Sequence, residues 1–77
     1  MNNIVAVSTA SFHTLAIDKN GDLWTWGDNR AGALGDGTTV SRHLPKKIME
    51  NVVAIDTSQY HSIALTADGV LWAWGYN

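Results

Sequence analysis

The stretch Gly21-Asp22-Leu23-Trp24-Thr25-Trp26-Gly27 returns forty-eight residues later as Gly69-Val70-Leu71-Trp72-Ala73-Trp74-Gly75. No other feature of the chain limits its possible folds so sharply. The register extends without a gap over Asn3–Asn29 and Asn51–Asn77. It pairs Asn3 with Asn51, Val5 with Val53, Thr9 with Thr57, His13 with His61, Ala16 with Ala64 and Asn29 with Asn77. Several mismatches are conservative, such as Ile4/Val52, Phe12/Tyr60, Thr14/Ser62 and Leu15/Ile63. One structural unit is therefore written twice, and fixed-period self-similarity is the signature of a repeat architecture.

A chain of 77 residues leaves much of its surface exposed unless something else covers it, yet this one carries four Trp, two Tyr and one Phe. It has no cysteine, so neither disulfides nor thiolate metal sites can supplement a thin core. The net charge is −2, and the basic residues are scattered apart from Lys46-Lys47. That excludes the dense positive patch that phosphate binding needs, and no nucleic-acid partner is expected. The apolar run Ile4–Val7 is far too short for a signal-peptide core or a membrane span. No membrane partner is expected, and the cytoplasm is the default compartment.

Read in order, Ile4–Val7 is a β-branched run suited to a short strand, and Phe12–Asp18 continues as a second. Leu15 and Ile17 fall on one of its faces, Thr14 and Ala16 on the other. Asp18-Lys19-Asn20-Gly21 predicts a two-residue hairpin turn with positive φ at Asn-Gly. Leu23–Trp26 pairs back as a third strand with Trp24 and Trp26 on one face. Asp28–Val40, with Gly32, Gly35 and Gly37, reads as an ordered surface loop. Leu44–Ile48 is a fourth strand whose Pro45 argues for an outer edge. Met49-Glu50-Asn51 links to a second meander over Val52–Thr57, Tyr60–Thr66 and Val70–Trp74, with Asp68-Gly69 in its turn. No segment has a helical period. The expectation is all-β: blades of four-stranded antiparallel sheets, which must stack on one another, and radial stacking of such sheets is a β-propeller.

These residues resemble the repeats of the regulator of chromosome condensation family. The resemblance rests on Gly21–Asn29, on Gly32-Ala33-Leu34-Gly35-Asp36-Gly37, on Pro45 with Ile48, on Val53–Ile55 and on the His-Ser-Ile-Ala-Leu run at His61–Leu65. It spans nearly the whole chain and implies a propeller, usually of seven blades. It implies no single activity, because such propellers include a nucleotide-exchange factor, ubiquitin-ligase domains and a β-lactamase inhibitor. What it carries over is structural: Gly27 and Gly75 closing the tryptophan strand, Gly32 and Gly35 shaping the loop, His13 and His61 opening the second strand. The whole chain, 1–77, is then a single propeller fragment, with one unit at about 3–50 and a truncated one at about 51–77. Nearly two blades are present, and oligomerisation is expected to complete the ring: six blades from a trimer or eight from a tetramer.

The chemical readings of individual residues are thin. The tryptophans could stack on a ligand, but each pair recurs inside an apolar strand, as residues packed between blades would. His13, His43 and His61 lack a common ligand spacing, and the repeated pair is read as structural, fixing a turn by bonding to backbone. Asp18–Asp22 fails the calcium-loop pattern, because Leu23 replaces its glycine and Asn29 its closing Glu. Gly27–Gly37 has neither the Lys-Ser/Thr ending nor the following helix of a phosphate cradle. No nucleophile elbow or carboxylate pair occurs, so the chain is read as non-enzymatic, without metal or cofactor.

Two functions remain. In the first, the chain is a self-assembling scaffold: the edge at Leu71, Trp72 and Trp74 receives the strand bearing Leu44 and Ile48 from another copy. In the second, it is a section of a longer propeller that docks a protein partner, exchange-factor-like or inhibitor-like, through Asp28–Val40. Arg30, Asp36 and Arg42 are the contact residues of that reading.

Overall fold

A computed structural model describes residues 3–9, 13–27, 41–58 and 61–75, apart from the side chains of Arg42 and His43. Seven strands occur among them: β1 (Ile4–Thr9), β2 (His13–Asp18), β3 (Leu23–Gly27), β4 (Arg42–Met49), β5 (Val52–Ser58), β6 (His61–Thr66) and β7 (Leu71–Gly75). They form a four-stranded sheet in the order β1-β2-β3-β4 and a three-stranded sheet in the order β5-β6-β7. All the pairings are antiparallel, so each sheet is a meander built by neighbouring strands in the sequence. We refer to the two sheets as blade one and blade two.

The internal repeat holds at the level of single hydrogen bonds. Asn3 and Asn51 both take left-handed backbone angles (φ 58° and 59°). Their carbonyls accept from the N–H groups of Lys19 (2.9 Å) and Ala67 (2.8 Å), which are themselves equivalent positions. Register irregularities fall at the same place in both blades, between Ile4 and Ala6 and between Val52 and Ala54. The extra residues, Val5 and Val53, are exposed in both, as expected where a bulge leaves one residue unpaired.

The β2–β3 turn differs from the two-residue form expected. Gly21 N–H donates to the Asp18 carbonyl (3.0 Å) and Asp18 N–H to the Asp22 carbonyl (3.1 Å). Positive φ is confined to Gly21 (82°), Asn20 not sharing it. This is a three-residue loop in which a type I turn is followed by a left-handed glycine. Blade two repeats it over Ala67-Asp68-Gly69, with Gly69 at φ 86°.

The blades pack face to face, with β5 lying over β1 and β2. The core cluster is Leu15, Ile17 and Leu23 from blade one with Val52 and Ala64 from blade two. Strand alternation places Leu15 and Ile17 on the face toward blade two, and Ser62, Ala64 and Thr66 on the face that meets them. Ala16 is nonetheless buried, although it lies on the opposite face of β2. Its register neighbours there are Val7 on β1 and Trp24 on β3; the indole, itself half-buried, shields that side of the sheet. β4 is hydrogen bonded to β3 of its own chain. It is the outer edge of the four-stranded sheet, as Pro45 suggested, and Ile48 and Met49 pack from it against the core cluster.

Candidate functional site

The blade-to-blade junction is the most elaborated surface among the described residues. At its base Val52 N–H donates to the Gly21 carbonyl at 2.8 Å, a backbone bond that ties the start of blade two to the hairpin of blade one. A Cβ on Gly21 would lie 3.5 Å from the Asn51 Cα, an ordinary contact, so what the glycine supplies here is its left-handed φ. Further along, Ser8 Oγ and Thr57 Oγ1 are 2.9 Å apart, and His13 Nε2 lies 3.0 Å from Ser62 Oγ. His13 and Ser62 are both buried, so the polar pair satisfies groups that would be costly alone. The repeated histidine, expected to fix a turn through backbone, here bridges two blades. Its counterpart His61 is exposed and sits 3.1 Å by Nδ1 from Ser58 Oγ.

A second polar element, which sequence reasoning left as a plain turn, is the Asp18 carboxylate. Its Oδ1 accepts from the N–H groups of Asn20 (2.9 Å) and Asp22 (3.0 Å), and its Oδ2 from Trp24 Nε1 (3.0 Å). The indole bond, with the two N–H bonds and the Lys47 ammonium, outweighs burial and holds this carboxyl below its ordinary 3.8. One side chain thereby locks the hairpin and orients a tryptophan. Blade two has Thr66 at this position. Its hydroxyl donates to Asp68 and receives Trp72 Nε1 at 3.4 Å, and that hydroxyl bond, followed by the Val70 N–H, lowers the Asp68 carboxyl. The aspartate has moved two residues along the turn while the indole keeps an oxygen partner. The signal in the sequence was an Asp or Thr six residues before each leading Trp.

The predicted interface residues do not share one face. Leu71 lies on the outer face of blade two and is 67% exposed. Trp72 and Trp74 alternate to the inner face, where Trp74 packs against the core cluster of its own chain. Leu44 is exposed, while Ile48 is half-buried against that same core. Of the residues assigned to a partner loop, Arg30 and Asp36 lie outside the described residues, as does the side chain of Arg42, whose backbone opens β4 opposite Gly27. Among the described residues no group of three or more His, Asp or Glu side chains could hold a metal ion. No helix there is long and apolar enough to cross a membrane.

Residues 20–65 match the Regulator of chromosome condensation (RCC1) repeat, and residues 4–33 match a second family of the same description. The chain belongs to the RCC1 repeat family. Its sequence is 40% identical over 45 residues to human E3 ubiquitin-protein ligase HERC2, covering 58% of this chain and 1% of the ligase. It is 42% identical over 43 residues to the Saccharomyces cerevisiae guanine nucleotide exchange factor SRM1, covering 56% of this chain and 9% of that protein. Among solved structures, human WBSCR16 superposes with a TM-score of 0.89 at 26% identity, over 97% of this chain and 20% of that one. Prp20p of Saccharomyces cerevisiae superposes at 0.79 and 32% identity, over 94% and 19%. The chain thus spans a small part of each relative it matches. Its two sheets are RCC1-type β-propeller blades.

Proposed function

We propose that the chain is a non-enzymatic propeller module that associates with copies of itself into a closed ring and serves as a protein-interaction scaffold. One observation carries this reading. Leu23 and Leu71 are equivalent residues of the repeat, yet Leu23 is 0% exposed beneath blade two while Leu71 is 67% exposed. Ile63 is likewise 37% exposed where Leu15 is 0%. A blade face that is core in one copy of the repeat is therefore open in the other, and a further blade is what covers it. Fully withdrawing a large aliphatic side chain from water stabilises by about 1.5–3 kcal/mol. One junction with a few such residues barely offsets the cost of association, about 4 kcal/mol or more. Ring closure makes the last junction intramolecular, so closed species are favoured over open chains of copies. Light scattering after gel filtration tests the reading: a discrete species at three or four times 8.4 kDa supports it, and a folded monomer at all concentrations rejects it.

A second reading is favoured by the coverage. The chain matches about a fifth of the length of the solved propellers. On that reading the residues are a section of a longer propeller that docks a protein through residues 28–40, which lie outside the described residues. Solved yeast relatives bind Gsp1p and histones, and Kap60, which supports a protein as the partner on this reading. Core histones supply a probe: retention by the chain that is lost on combined Arg30→Ala, Asp36→Ala and Arg42→Ala replacement supports loop docking, and retention unaffected by it opposes that.

A further inference from the structure

We infer that copies of this chain join head to tail, the outer face of blade two in one copy receiving the leading face of blade one in the next, in the register of the internal junction. This rests on the self-association reading and adds to it the surfaces and the atom pairs. Shifting each internal contact by one repeat names the residues that would meet, and each contact finds a chemically matched pair.

At the base, the Val52 N–H to Gly21 carbonyl bond becomes Ile4 N–H to the Gly69 carbonyl of the neighbouring copy. The space it needs is open, since nothing lies within 4 Å of a Cβ built on Gly69, whereas Gly21 has the Asn51 and Val52 backbone there. Gly69 also keeps the left-handed φ of Gly21, 86° against 82°. The apolar contact of Val52 and Ile55 with Leu15 and Leu23 becomes Ile4 and Val7 on Ile63 and Leu71. All four are exposed large hydrophobics: Ile4 36%, Val7 57%, Ile63 37% and Leu71 67%.

The polar contacts transfer as well. His13 to Ser62 becomes His61 to Thr14, a hydroxyl replacing a hydroxyl. The bond of His61 to Ser58 uses Nδ1, so it does not commit Nε2, the nitrogen through which His13 reaches across. Ser8 to Thr57 becomes Asp56 to Thr9, two exposed residues in which a hydroxyl would donate to a carboxylate. Such an interface is heterologous, joining two different patches, and repeated application closes a ring or continues as a filament. It leaves β4 on β3 of its own chain, whereas donating β4 to β7 of another copy would strip an existing ladder.

The absence of cysteine makes a crosslinking test direct. Thr9→Cys and Asp56→Cys chains, mixed and oxidised, are expected to give a disulfide-linked heterodimer as the main product, and neither variant alone should dimerise. Ser8→Cys with Thr57→Cys in one chain is the control for geometry and should close within the monomer. An oligomer that forms while only the control oxidises overturns this junction and leaves self-association standing; a chain that stays monomeric removes both. Linkage of Thr9→Cys to itself would indicate a two-fold interface and also overturn the proposal. Independently, Val7→Asp and Leu71→Asp alter exposed positions on opposite faces, and each alone should reduce the assembly to monomer. Retention of the wild-type mass by either variant contradicts the junction.

Discussion

His13 Nε2 and Ser62 Oγ lie 3.0 Å apart between the two blades, each buried and each at a position the repeat uses twice. Replacing one partner by alanine leaves the other buried with one fewer partner, at a cost of about 1–3 kcal/mol. His13→Ala and Ser62→Ala should each lower the urea midpoint by a corresponding amount. The double variant should lose less than the sum of the two, because the bond between them is counted in each single loss but removed only once. Additive losses would show that the pair is not coupled.

Leu23 and Leu71 provide an internal comparison at fixed chemistry. Leu23→Ala opens a cavity in the core cluster and should cost about 2–5 kcal/mol. Leu71→Ala in the isolated chain should stay within about 0.5 kcal/mol, as surface replacements do. Denaturation of both variants under dilute, monomeric conditions measures the contrast, and equal losses would contradict the assigned faces.

The acid limb of stability should depend on Asp18 and Asp68. Both carboxyls are held below their ordinary 3.8 in the folded chain, Asp18 chiefly by the Trp24 indole and Asp68 chiefly by the Thr66 hydroxyl. A folded value below the unfolded one adds stability above the unfolded value. That stability fades as the pH falls from 3.8 through the lowered value, where the folded chain takes up its protons. Melting temperature should therefore drop below that pH, and the drop should flatten in an Asp18→Asn, Asp68→Asn chain. An unchanged acid profile would show that these bonds do not favour the ionised form.

The turn glycines should tolerate size but not handedness. A Cβ at Gly21 would make only ordinary contact, 3.5 Å from Asn51, and one at Gly69 would meet nothing. The left-handed φ remains, and an L residue pays about 1–2 kcal/mol there. Gly21→Ala and Gly69→Ala should both destabilise by about that much, and the corresponding Asn replacements by less, because Asn adopts this region more readily. Calorimetric melting of the four variants tests the order.

Much of this was legible because a repeat states its own register. The equivalence of Leu23 with Leu71 and of His13 with His61 can be read directly, and the orders β1-β2-β3 and β5-β6-β7 follow from connections too short to cross over. The faces were harder. Alternation put Ala16 on the face opposite Leu15 and Ile17 without saying that this face is covered too; Ala16 is buried there, with Val7 and Trp24 flanking it across the sheet. Trp72 and Trp74 looked like partners of Leu71, yet period two sends them to the opposite side of β7. Hydrogen bonds between side chains were less legible still. The Asp or Thr six residues before each leading Trp marked a repeated pair without showing that it bonds, and nothing in the spacing told that the repeated histidine would bond across blades. The first is local to the β2–β3 hairpin, whereas the second arises only where the blades meet, beside the Val52 N–H to Gly21 carbonyl bond.

The most direct test of the account is the solvent exposure of the Leu23 and Leu71 methyl groups, read by NMR as their broadening by a soluble paramagnetic probe at rising protein concentration. Leu23 should stay protected throughout. Leu71, 67% exposed in the single chain, should become as protected as Leu23 once copies associate. Leu71 methyls that remain fully broadened in an associated sample would contradict it, because the chain would then assemble through some surface other than the open blade face.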